Sequence, residues 1–158
     1  GLVTGFIKTD IDTMLALVAD FVPKIHCWSV CDSFASGLHL IKKHKEKGYA
    51  FLQPYAFAEE EYEIRFAFVM LMDYFMEEAY LQRIFALIEQ AKKETYYVKM
   101  AIAWLLSVAY IKFPGETLVY LQKNTLDDFT YRKALQKIIE SNRVSDEDKN
   151  MMRQMKKR

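Results

Sequence analysis

Trp28 and Asp32 stand four residues apart in Trp28-Ser29-Val30-Cys31-Asp32, so in a helix an indole and a carboxylate share one face. That pairing suits a reaction in which positive charge develops on the substrate. The carboxylate stabilises the charge, and the aromatic face attracts a cation while excluding water. Arg65 follows 37 residues after Trp28, and a second tryptophan, Trp104, follows 39 residues after Arg65. A guanidinium carries a planar fork suited to a phosphate oxygen pair. Each residue also has a plain structural reading. Either tryptophan could be a core residue, Asp32 could be a solvated helix position, and Arg65 could pair with Glu61 at i−4.

The elements that must position these groups read as helices. Apolar residues recur at helical spacing throughout, and no segment alternates with period two between turn signals. Helices are expected over Asp10 to Phe21, Trp28 to about Lys47, Glu59 to Phe75, Glu77 to Ala91, Thr95 to Phe113, Gly115 to Lys123, Asp127 to Ser141, and from Ser145 onward. The fifth is apolar nearly all round and must be covered on several sides. The last, residues 144–158, is highly charged and reads as an exposed, fraying end. Intervals near 40 residues with paired helices are those of two-helix solenoid repeats, in which residues one period apart sit side by side.

In this order and spacing, Trp28-x-x-x-Asp32, Glu63-Ile64-Arg65-Phe66 and Tyr97 to Trp104 resemble the DNA alkylation repair family, the AlkD-like glycosylases. The resemblance runs from about Asp10 to the C-terminus. It implies an all-α, right-handed superhelical array of HEAT-like antiparallel helix pairs, forming one domain over residues 1–158. It implies hydrolysis of the N-glycosidic bond of N3- or N7-alkylated purines in double-stranded DNA, without flipping the lesion into a pocket. The site residues it implies are Asp32 as catalyst, Trp28 and Trp104 against the lesion and sugar, and Arg65 on the DNA backbone. Relative to the family pattern, N-terminal helices and one aromatic contact are missing, which reads as an N-terminal truncation. The alternative is a non-catalytic helical-repeat module that binds DNA or a protein partner.

The chemistry asks little beyond these groups. An alkylated purine is already cationic and leaves as a neutral base without a general acid, while sugar C1′ becomes oxocarbenium-like. A carboxylate at ~4 Å from that charge, at an effective dielectric of ~20, contributes about 4 kcal/mol, or roughly three decades of rate.

Charge and composition bound the rest. The 158 residues contain 22 Lys+Arg and 21 Asp+Glu, a net charge of +1, so no global basic excess announces a nucleic-acid binder. Locally the balance shifts: Lys42, Lys43, Lys45 and Lys47 outweigh Glu46, and residues 127–158, Arg143 among them, carry nine basic against six acidic groups. Lys42, Lys43, Lys45 and Arg143 are the candidate phosphate contacts. Cys27 and Cys31, four apart, read as free thiols of a reducing, cytoplasmic compartment, and Cys31 as a core residue. His26, His39 and His44 do not complete a zinc spacing, and no Gly-rich phosphate loop or serine-hydrolase motif occurs, so no metal and no nucleotide cofactor is expected. The longest uncharged run, Met100 to Ile111, has 12 residues, short of the ~20 that span a bilayer. A monomer is expected.

Overall fold

A computed structural model describes residues 10–157. These form nine α-helices and no strand: α1 (Ile11–Phe21), α2 (Trp28–Ser36), α3 (Lys45–Ala56), α4 (Glu61–Tyr74), α5 (Glu78–Gln90), α6 (Tyr96–Lys112), α7 (Pro114–Lys123), α8 (Asp128–Glu140) and α9 (Asp146–Lys156). Two 3-10 turns, Val22–Lys24 and His39–Lys43, link α1 to α2 and α2 to α3. The all-α expectation holds, and none of the described helices is long and apolar enough to cross a membrane.

The even-numbered helices form the row that positions the site. α2 packs on α4, α4 on α6 and α6 on α8, while α3 covers α4 and α5, α7 covers α6, and α9 covers α8. The row begins at residues 28, 61, 96 and 128, nearly equal intervals somewhat shorter than the tryptophan and arginine spacing suggests. Every residue of α4 from Ile64 to Met72 is buried, because neighbours enclose it on several sides. α6 is buried almost as thoroughly, as its apolar circumference requires. Three helix starts follow from capping chemistry: Asp10 accepts from Thr13 N at 2.8 Å, Asp127 from Thr130 N at 3.1 Å and Ser145 from Asp148 N at 3.2 Å. Pro114 opens α7, where its missing N–H costs nothing.

Two expectations need correction. The helix expected over Trp28 to Lys47 ends at Ser36, with Gly37 at its C-cap, and after the 3-10 turn a separate helix, α3, runs through both Gly48 and Pro54. Gly48 is required there by close approach: a Cβ at this position would come within 2.6 Å of Ile41 Cδ1 and 3.3 Å of Phe75 Cζ. Pro54 forfeits one intrahelical bond two residues before α3 ends. The charged C-terminal helix is docked rather than frayed, since Met152 and Met155 are buried against the fold beneath its charged face.

Candidate functional site

Asp32 occupies the second turn of α2, one turn beyond Trp28 on the same face. Its partner comes from the next helix of the row. Arg65 Nε donates to Asp32 Oδ1 at 3.0 Å and Nη2 to Oδ2 at 2.8 Å, so the fork meets the carboxylate with two parallel bonds. The third donor, Nη1, reaches α6 and bonds the Tyr97 carbonyl at 2.8 Å. Arg65 thus joins three consecutive helices of the row, and its residue is only 5% exposed.

This corrects the expectation for Arg65. Its fork is engaged by Asp32 rather than presented to a DNA phosphate, and it does not pair with Glu61 either. Glu61 instead accepts from Tyr97 N at 2.8 Å, satisfying a backbone donor at the start of α6, where Thr95 offers no side-chain cap. The two acidic and basic groups, one turn apart on α4, hold both the N–H and the C=O of Tyr97. The Tyr97 ring lies 5.8 Å from the Arg65 guanidinium and 6.0 Å from the Tyr62 ring, continuing the cluster across α4 and α6.

Both tryptophans are surface groups, Trp28 48% and Trp104 38% exposed, so the core reading fails for each. Trp104 follows Tyr97 by seven residues, two helical turns, and shares its stripe of α6. The Asp32 side chain keeps 19% of its surface accessible while Arg65 beneath it keeps 6%. The arrangement is therefore a solvent-reachable carboxylate, oriented from below, with an exposed indole one turn away on its own helix.

Asp73, two turns beyond Arg65 on α4, is a residue that sequence reading did not single out. Its surface is exposed, yet desolvation of the carboxyl by the protein around it and, secondarily, the Asp32 charge push its pKa up to about 6. Asp73 lines a cavity of about 320 Å³ with Lys42, Lys45, Tyr74, Glu77 and Lys112. No local motif marks it. Only the fold brings it within range of Asp32.

The basic candidates divide. Lys45 is committed to protein groups: it bonds the Tyr74 carbonyl at the end of α4 and pairs with Glu77 at 2.8 Å, a correction to its expected phosphate role. Lys42 and Lys43 are exposed on the 3-10 turn, with Lys42 Nζ 5.8 Å from the Tyr74 ring centre. Arg143 is exposed in the turn between α8 and α9, well along the chain from the other candidates. Lys47, counted in the same basic run, pairs with Asp12 at 2.6 Å.

Cys31 is buried, as expected, and burial together with Asp32 pushes its thiol up to about 12. Cys27 is exposed at the N-cap of α2, where hydrogen bonds from Ser29, first its side chain and then its backbone, lower the thiol pKa. No group of three metal-ligating side chains occurs among the described residues.

Comparison with known proteins adds one finding. The family model described as DNA alkylation repair enzyme matches residues 3–138. Neither a curated protein nor a solved structure matches the chain. The family match covers most of the chain and all of the Trp28, Asp32, Arg65 and Trp104 positions, and on that ground the chain belongs to the DNA alkylation repair enzyme family.

Proposed function

We propose that the protein is a DNA glycosylase that hydrolyses the N-glycosidic bond of N3- and N7-alkylated purines, with Asp32 as the catalytic carboxylate. The observation that carries this reading is the doubly bonded Asp32–Arg65 pair set beside an exposed Trp28. A buried guanidinium fixes the plane of the carboxylate, so no reorientation is needed when charge develops at C1′. The glycosidic electron pair leaves with the already cationic base, which departs neutral. A water oxygen then bonds to C1′, its proton passing to the Asp32 carboxylate or to solvent, and the products are a free base and an abasic sugar. Trp28 and Trp104 pack against the lesion nucleotide and its sugar without flipping it, each contributing about 0.5–2 kcal/mol of cation–π attraction. Arg65 acts through Asp32 as a positioning residue. Of the basic candidates named from the sequence, Lys42, Lys43 and Arg143 remain to meet phosphates. The protein acts as a monomer, and the reaction requires no cofactor.

Release of 7-methylguanine from methylated duplex DNA tests this directly. Wild type is expected to release base well above the buffer rate, and Asp32→Asn to lose about two to three decades of that rate. Release no faster than buffer, or an equally active Asp32→Asn, overturns the reading.

A further inference from the structure

Tyr96 and Phe129 are 55% and 41% exposed, yet neither takes part in the chemistry assigned to Asp32. They sit in the first turns of α6 and α8, consecutive helices of the row, with ring centres 6.1 Å apart and planes inclined by 47°. Two cations flank the pair, Lys99 Nζ at 5.8 Å and Lys133 Nζ at 5.7 Å from the Phe129 ring centre. Beside Phe129 opens a cavity of about 330 Å³ lined by Arg132, Lys133, Gln136 and Lys156. The acids nearby include Asp127, which caps α8 and pairs with Lys99 at 3.5 Å, Asp128 at the first position of α8, and Glu140, which accepts from Gln136 at 2.8 Å. Tyr96 also contacts Tyr97 at 5.1 Å, which ties the patch to the residue that Arg65 and Glu61 hold.

Exposed π faces bordered by cations fit a flat group tethered to an anion, which describes a nucleotide. A paired base inside a duplex has both faces stacked and offers neither to the protein. We propose that Tyr96 and Phe129, with Lys99 and Lys133, form a stacking site for an unpaired nucleotide of DNA, two and three helices along the row from Asp32. The aromatic rings take the base, and Lys133 takes its phosphate. The proposal rests on the reading of DNA as the substrate; the nucleotide seated here is an unpaired one away from the lesion, which stays in the duplex beside Trp28 and Trp104.

The test is binding of the full chain to a short fluorescein-labelled duplex with a two-nucleotide bulge, compared with its fully paired counterpart, by fluorescence anisotropy. The bulged duplex is expected to bind about tenfold more tightly, the size of a single base–aromatic stacking contact. Tyr96→Ala/Phe129→Ala is expected to abolish that preference and leave affinity for the paired duplex unchanged, whereas Tyr96→Phe keeps the preference. Lys133→Gln should weaken both complexes and reduce the salt slope by about one phosphate contact. Both rings are exposed, so an unchanged melting temperature establishes that the double variant is folded. Equal affinity of wild type for the two duplexes, or a preference that survives the double variant, overturns the proposal. Base release measured on the same preparation separates the two readings: release without bulge preference overturns only the stacking site, and bulge preference without release overturns only the glycosylase.

Discussion

Arg65 reaches both oxygens of Asp32 across two helices whose sequence positions differ by 33 residues, and it does so from a position nearly closed to water. A buried charge with one designated partner makes that partner expensive to remove. Asp32→Ala is expected to destabilise the fold by about 3 kcal/mol or more, because the guanidinium is left buried and unpaired. Asp32→Asn should cost less, since the amide oxygen still accepts one of the two bonds. Urea unfolding of the two variants checks the order.

Arg65→Lys separates positioning from phosphate gripping. Lysine keeps the charge but cannot bridge both Asp32 oxygens while holding the Tyr97 carbonyl. The expected outcome is a fall in kcat for base release of about tenfold or more, with the Kd for DNA unchanged. A loss confined to Kd would place the guanidinium on the DNA backbone instead.

Glu61 supplies the cap that Thr95 does not. Glu61→Ala should leave the Tyr97 N–H without its acceptor and destabilise the protein by about 1 kcal/mol. Glu61→Gln retains an acceptor oxygen and should recover most of that loss. The midpoint of urea unfolding at constant m resolves the difference.

Two glycines in helices should respond in opposite senses. Gly48→Ala drives a Cβ into Ile41 and is expected to cost about 1–3 kcal/mol through overpacking. At Gly115 a Cβ meets nothing within 4 Å, so Gly115→Ala should stabilise by about half a kcal/mol through helix propensity. Paired melting curves are the check.

Asp73 makes a distinct contribution to pH dependence. Its folded pKa is raised to about 6 from a usual value of 3.8, so between these values the folded state binds the proton that the unfolded state has lost. Stability from this group is complete below about pH 4 and is lost as the pH rises through 6. Asp73→Asn removes the loss, so the melting temperature of the variant relative to wild type should climb between pH 4 and pH 6.5 and then level off.

The helical class, most helix boundaries and the Trp28–Asp32 face were legible because they depend on spacings of three and four residues. The Asp32–Arg65 bond was not, because it depends on the register between neighbouring helices. Local rules offered Glu61 as the partner of Arg65, and the fold instead sends both side chains across to Tyr97 and Asp32. Lys45 misled for the same reason, its partners Tyr74 and Glu77 lying about 30 residues away. α3 was hidden because it contains Gly48 and Pro54, residue types that ordinarily disfavour a helix interior, although here one serves close packing and the other falls in the last turn. In α9 a sparse pair of methionines among charges was enough to dock the helix.

The clamp on Tyr97 also has a mechanical meaning. With its N–H held by Glu61 and its C=O by Arg65, the start of α6 cannot slide or tilt against α4 without breaking two charge-assisted bonds. If a duplex is bent on a surface held this rigidly, the deformation falls on the DNA and not on the protein. Smoothly bending roughly 20–30 base pairs of DNA costs on the order of 1–6 kcal/mol, and the cost varies with the flexibility of the base steps being bent. Preference among damaged sites would then be written in the pliancy of the DNA flanking the lesion, at positions no side chain touches.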